Sequence, residues 1–250
     1  HGGWVTSASI SMDNRYLLSV GSNKIRIWDV KNGLECRTFQ GGEGEIAIFS
    51  PDNCNVLIGN CDIFKLHQVD DGKELKVFPV THPGTSNKRK SKAVAFSPDG
   101  YYALVGQNYG TLRLWEIDSG KELGVLIADT SYMRYCSVQT VAFSFDGNYA
   151  LSSHSSIHAL ILWDIKNFRE LRNFRGHSDL ICTTAFSPNG DYVLSGSYDK
   201  TLKLWAVKNG QELKTFTDHS DQVLAVAFSQ DGRYVISAGR DNTIRGWLIE

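Results

Sequence analysis

Long apolar runs are missing from this chain of 250 residues: no uninterrupted stretch approaches the roughly 20 residues that a membrane helix requires. A charge excess of one sign is missing too. With 26 Lys and Arg against 27 Asp and Glu the net charge is −1, so the surface is not basic throughout, and nucleic-acid binding would need a local patch. Cysteine is scarce: Cys36, Cys54, Cys61, Cys136 and Cys182 form no CxxC pair and no metal-type spacing with histidine. They read as reduced, mostly buried small hydrophobes of a cytosolic-type chain, and neither a metal nor any other cofactor is expected. No basic segment leads into an apolar stretch at the N-terminus, so no signal peptide is read. The opening His1, in place of Met, is what a processed or excised start would leave. Sustained helical periodicity is absent as well. Hydrophobic residues make up 42% and charged residues 21%, which excludes a disordered composition. Length alone allows one large domain or two small ones.

Proline is also scarce, five residues against 23 glycines, and Pro51 and Pro98 sit in the same local motif. That motif repeats. SPDG from Ser97 recurs as SPNG from Ser187, SFDG from Ser144 and SQDG from Ser229, with looser copies SPDN from Ser50 and SMDN from Ser11. Each serine is followed 17 to 19 residues later by an anchor: Trp28, His67, Trp115, Trp163, Trp205 or Trp247. Successive anchors lie 39, 48, 48, 42 and 42 residues apart, so six repeats of about 42 residues cover the chain.

The fifth repeat shows what each unit contains. Ile181 to Ser187 is apolar, Pro188-Asn189-Gly190 is turn chemistry, and Tyr192 to Ser195 is apolar again. Tyr198-Asp199-Lys200 turns, Leu202 to Trp205 alternates apolar with polar, Lys208-Asn209-Gly210 turns, and Glu212 to Phe216 alternates once more. Short strands with turn signals every 8 to 12 residues specify an all-β chain. A four-stranded unit cannot bury both faces alone, so neighbours must stack, and radial stacking gives a β-propeller. Blades are expected at about 1–40, 41–80, 81–128, 129–176, 177–218 and 219–250, forming one domain.

Phe174-Arg175-Gly176-His177, followed by Ser195, Asp199 and Trp205, resembles the WD-repeat (β-transducin-like) pattern that runs from Gly-His to Trp-Asp. The Trp-Asp pair itself stands at Trp28-Asp29 and Trp163-Asp164, with Trp115-Glu116 close to it. The resemblance extends over all six repeats and implies a six-bladed propeller that serves as a non-catalytic platform for a protein or peptide partner.

His177, Ser195 and Asp199 would also suit a hydrolase. The same set returns as His219, Ser237 and Asp241 beside Trp247, and a device used twice points to structure rather than to one active site. In the family such residues form a hydrogen-bonded tetrad that ties the loop before the innermost strand to its blade. Closing a network of this kind removes the cost of burying each polar group. Elsewhere the set is incomplete. Repeat one has His1, Ser19 and Trp28 with Asn23 near the Asp position, and repeat two has His67 for Trp. Repeat three has Val105 and Tyr109 for Ser and Asp, and repeat four has Ser152 and Trp163 with His154 and His158 in a turn. Blades two to four are therefore expected to be held more by apolar packing. No nucleophile-elbow GxSxG occurs, and no phosphate loop stands between a strand and a helix.

The resemblance also implies where a partner binds: positions seven and five residues before the motif serine, and the residue before the tetrad Asp, at the wide end of the ring. Counting places Trp4, Thr6, Leu180, Tyr198, Gln222, Leu224 and Arg240 there, along with Ser137, Gln139 and Cys182. Glu43 and Glu45, and the basic run Lys88, Arg89, Lys90 and Lys92, would add charged contacts. Two further readings stand beside the scaffold: a sensor or regulatory domain excised from a larger protein, and a phosphate or nucleic-acid site on the basic run. That run has no aromatic for base stacking, which disfavours nucleic acid. Repeat six ends at Glu250 just after its third strand, so a three-stranded last blade with an exposed edge at residues 243–248 is expected.

Overall fold

The turn motif sets the first hairpin of every repeat. In the copy at Ser97 the hydroxyl donates to Asp99 Oδ1 at 2.5 Å and accepts from the Tyr102 amide at 2.9 Å, so one short side chain holds both sides of the turn. The last residue of the motif must adopt the left-handed conformation, and Gly100, Gly147, Gly190 and Gly232 do so with φ from 71° to 77°. In the looser copies Asn14 and Asn53 take this role at φ 58° and 61°. Asparagine is the side chain that tolerates this region best, which is why SMDN and SPDN still turn.

The computed structural model describes residues 2–3, 5–21, 24–40, 46–59, 63–79, 93–107, 109–128 and 136–249. Blade one comprises β1 (Val5–Ile10), β2 (Tyr16–Gly21), β3 (Lys24–Asp29) and β4 (Glu35–Gln40). Blade two comprises β5 (Ile46–Phe49), β6 (Asn55–Gly59), β7 (Ile63–Gln68) and β8 (Glu74–Pro79). Blade three comprises β9 (Ala93–Phe96), β10 (Tyr102–Gly106), β11 (Thr111–Glu116) and β12 (Glu122–Ile127). Blade four comprises β13 (Val138–Phe143), β14 (Tyr149–His154), β15 (Ala159–Asp164) and β16 (Arg169–Arg175). Blade five comprises β17 (Ile181–Phe186), β18 (Tyr192–Ser197), β19 (Leu202–Ala206) and β20 (Glu212–Phe216). Blade six comprises β21 (Val223–Phe228), β22 (Tyr234–Gly239) and β23 (Ile244–Leu248).

Each blade is an antiparallel meander paired in chain order, and the six stand in a ring as a β-propeller. Innermost strands pack side by side from β1 through β5, β9, β13 and β17 to β21. Second strands of blades one to five are covered on both faces: Val193 to Ser197 of β18 are all buried, as the continuous apolar run before Ser195 demands. The apolar core lies between blades rather than within them. Leu18 and Ile25 of blade one meet Val56 and Ile58 of blade two, and comparable clusters join each later pair as far as blade six. At the last of these, Leu194 and Leu202 bury against Val223 and Val235. Full burial of one such side chain contributes about 1.5–3 kcal/mol, so the junctions hold the ring.

Blade six has three strands, and among the described residues nothing pairs with the outer edge of β23. Its far face is bare. Ile244 is 78% exposed, whereas Leu202, its counterpart in blade five, is fully buried. Val5 of blade one is 52% exposed, although its counterparts Ile181 and Val223 are buried.

Candidate interaction surface

Polar side chains on second strands would be costly in this core without partners, and the anchor tryptophans supply them. In blade five the Trp205 indole donates to Ser195 Oγ at 2.9 Å, and Ser195 Oγ lies 2.8 Å from His177 Nε2. His177 Nδ1 lies 2.7 Å from Asp199 Oδ2. Because an ionised carboxylate only accepts, His177 donates from Nδ1 to Asp199, and its Nε2 shares the second hydrogen bond with Ser195 Oγ. Asp199 also accepts from the Ser178 amide and from Thr201 Oγ1. Burial would raise its pKa, but the hydrogen bonds from His177 and Thr201 prevail and hold the carboxyl far below the usual range. The serine is fully buried and its oxygen accepts from the Trp205 indole, so it is placed to brace the blade.

Blade six repeats two of the three links of the tetrad. His219 lies 2.6 Å from Ser237 Oγ and 2.8 Å from Asp241 Oδ2. Thr243 first, with His219, holds Asp241 well below the carboxylate range. Trp247 departs from the expected tetrad: its indole donates to Asp218 Oδ2 at 3.0 Å instead of to Ser237. Among the described residues no strand lies beside the outer edge of β23, and the indole is only half-buried and bonds to an acceptor at the rim.

The remaining blades differ from one another. In blade one Trp28 donates to Ser19 Oγ at 2.8 Å, while His1 and Asn23 lie outside the described residues. In blade two the His67 ring stacks at a tilt on Phe39 with centroids 5.1 Å apart, and its Nδ1 is 3.2 Å from the Gly72 carbonyl. Blade three has Val105 where Ser would stand, and the buried Trp115 indole has no hydrogen-bond partner among the described residues. Blade four differs from the sequence expectation. His154 is not in the turn but ends β14, buried, with Nε2 at 2.7 Å from Ser152 Oγ, which accepts from the Trp163 indole at 2.7 Å. Cys136 Sγ lies 3.8 Å from its Nδ1, in the place Asp takes in blade five. Desolvation lowers the His154 pKa to about 4. The signal was available: residues two apart on a strand share a face, and His154 follows Ser152 by two.

The antiparallel order puts two sets of loops at one end of the ring: those from each outer strand to the next blade and those between second and third strands. Leu180, Tyr198, Gln222 and Arg240 lie on these loops in blades five and six, with Leu224 near the start of β21. The Tyr198 amide donates to the Leu180 carbonyl at 2.9 Å, and the Arg240 amide donates to the Gln222 carbonyl at 2.7 Å. Each pair is thereby pinned within its blade. Burial raises the Tyr198 phenol above its usual range; Cys182 and Asp179 add to this, and the Arg240 charge opposes it. Leu224 and Arg240 are exposed; Leu180, Tyr198 and Gln222 are half-buried. Cys182 is not a surface group: its thiol donates to the Val223 carbonyl at 2.9 Å. Ser137 and Gln139 bond to each other. Trp4, Glu43, Glu45, Lys88, Arg89, Lys90 and Lys92 lie outside the described residues, as does the Thr6 side chain. Among the described residues no three His, Cys, Asp or Glu side chains converge as a metal site needs.

Comparison with known proteins places this architecture. The WD domain, G-beta repeat model matches residues 1–29, 77–116, 168–206 and 210–247, more than half of the chain. Much of the unmatched sequence falls in blade two, with its His67 anchor, and in blade four, with its rearranged histidine. The chain is 28% identical over 223 residues to a guanine nucleotide-binding protein subunit beta of Oryza sativa subsp. japonica, covering 81% of this chain and 56% of that protein. It is 27% identical to THO complex subunit 3 of Arabidopsis thaliana over 72% of this chain and 53% of that protein. Autophagy-related protein 16 of Arabidopsis thaliana matches at 25% over 79% of this chain and 38% of its own length. The chain thus spans about half the length, or less, of these relatives. With the repeat matched over most of its length and six blades built on that repeat, the chain belongs to the WD-repeat family.

Proposed function

We propose that this propeller binds a protein or peptide partner on its wide end, with Leu180, Tyr198, Gln222, Leu224 and Arg240 at the centre of the contact. WD-repeat propellers are in general protein-interaction scaffolds and typically non-catalytic. The observation that carries the reading is the cluster at the boundary of blades five and six. Tyr198 and Arg240 stand there on loops whose backbones are already pinned, with the exposed Leu224 at the start of β21, so little order is lost on binding. Tyrosine and arginine are the side chains that most often dominate interface energetics. Glu43 and Glu45 on one side, and Lys88, Arg89, Lys90 and Lys92 on the other, would orient a partner more than tighten its grip. Trp4 and Thr6 would extend the same sector.

The test is to recover a partner by pull-down with mass spectrometry and then measure its affinity for Tyr198→Ala, Leu224→Ala and Arg240→Ala. We expect at least one to raise Kd by about fivefold or more, since truncation of a central side chain costs roughly 1–2 kcal/mol or more. Unchanged affinity in all three, with circular dichroism intact, would move the site elsewhere.

A further inference from the structure

Where an outer strand ends in phenylalanine, that ring meets the anchor of the next blade. Phe78 packs edge-on to Trp115 with centroids 5.8 Å apart, Phe174 to Trp205 at 5.9 Å, and Phe216 lies at a tilt on Trp247 at 5.0 Å. At the junction of blades one and two Phe39 meets His67 instead, at 5.1 Å. An imidazole lacks the fused benzene ring of an indole, so this anchor fills less of the space. Two further groups are missing around it. Ile58 stands opposite Lys65 as Ser195 stands opposite Lys203, so blade two has no tetrad serine. No histidine occurs in the sequence from Gln40 to Ile58, so it has no counterpart of His177.

The space left is a cavity of about 380 Å³ between the end of β4 and β7. Phe39, Ile58 and Ile63 give it apolar walls, and Thr38, Lys65 and His67 give it polar groups. At the next junction the corresponding Phe78, Val105 and Trp115 line a gap with no room for a water molecule. The opening therefore belongs to the His67 anchor and is not a general looseness between blades. Its size lies within the roughly 300–1,000 Å³ of small-molecule sites and well above the ~150 Å³ that admits benzene. Gln40 at the rim is exposed and the Lys65 side chain is 40% exposed, so the cavity opens to solvent.

The polar groups say what fits. Lys65 pairs with Glu74 at 2.7 Å, as Arg113 pairs with Glu122 and Lys203 with Glu212, so its charge is already balanced and the site does not call for an anion. In blades one and five the corresponding cation lies over the anchor indole, Arg26 over Trp28 at 5.7 Å and Lys203 over Trp205 at 6.0 Å. Lys65 has no indole of its own blade to cover. His67 Nδ1 is 3.2 Å from the Gly72 carbonyl, which only accepts, so Nδ1 carries the proton. Nε2 has no hydrogen bond among the described residues, and in the uncharged ring that nitrogen accepts.

We propose that this cavity binds a small neutral aromatic ligand of the indole class, which takes the place of the anchor tryptophan that blade two lacks. The ligand ring lies against Phe39 and under the Lys65 ammonium, where cation–π attraction favours an indole over a smaller ring. Its N–H donates to His67 Nε2. The site is built on blades one and two and the proposed partner surface on blades five and six, so failure of either leaves the other standing.

Titration of the 250-residue chain with indole and with 1-methylindole, by calorimetry and saturation-transfer NMR, tests this. We expect saturable one-to-one binding of indole. The methylated ring, similar in shape but without the donor, should bind about fivefold more weakly, the fold-change of one ordinary hydrogen bond. His67→Trp, which fills the cavity with the chain's own indole, should abolish binding with circular dichroism unchanged. The comparison of the two ligands is made on the native chain and stands even if that variant fails to fold. Absence of saturable binding, equal binding of the two ligands, or binding retained by a folded His67→Trp overturns the proposal.

Discussion

At the scale of single residues the anchors are unequal because their indoles end in different places. Trp205 is buried and donates to a serine that cannot reach water. Trp205→Phe keeps most of the apolar area and loses that bond, which should cost about 1–3 kcal/mol in denaturant melts. Trp247→Phe should cost less than half as much, because its indole donates to exposed Asp218. Equal losses at the two positions would contradict the bonding described. His154 gives a second residue-scale expectation. Its folded pKa of about 4 lies below the ordinary 6.5, so between those values the unfolded chain binds more protons. Stability therefore falls as pH drops through that window, by on the order of 3 kcal/mol for a shift of this size. His154→Gln, which keeps a polar group near Ser152, should flatten the change between pH 6.5 and 4.5 in urea melts; an unchanged slope would mean the histidine is not the source. Asp199 acts lower on the scale. Its depressed carboxyl contributes stability above the ordinary carboxylate range and loses it as pH falls below about 4.

At the scale of elements, turn and strand chemistry were largely legible in sequence. The serine motif locates every first hairpin, because the bonds it makes are local and recur at fixed spacing. Gly190 permits a clean check, since its φ is 76° and a side chain there would meet nothing within 4 Å. Gly190→Ala should cost about 1 kcal/mol from backbone conformation alone, and Gly190→Asn clearly less; comparable losses for both would mean packing rather than backbone is felt. What sequence did not reveal depends on contacts between elements. The rim acceptor of Trp247 follows from a missing neighbour strand, and the reach of Arg37 to Val69 follows from how two blades stand together. Cys182 was counted as surface because its position in the repeat is exposed in the family, but here the thiol turns toward the next blade. The carboxylate–cation pairs of the outer strands were within reach of sequence reading. Arg113 and Lys203 recur two residues before their anchors, and Glu122 and Glu212 follow seven after.

At the scale of the whole molecule, each blade is stable because its neighbour covers it, and blade six is the one whose far face nothing described here covers. The Ser–His–Asp links of blades five and six brace that end of the ring from within, and the loops they tie down carry Tyr198 and Arg240. Brace and proposed surface are thus linked: the serine, histidine and aspartate of each set hold the loops on which the proposed contact residues stand. Hydrogen exchange of the full chain, with and without the partner returned by pull-down, tests this most directly. Partner binding should slow exchange across 178–182, 198–201, 220–224 and 240–243 and leave the turns at 97–100 and 187–190, at the opposite end, unchanged. Protection confined to those opposite turns, with none on blades five and six, would contradict the account.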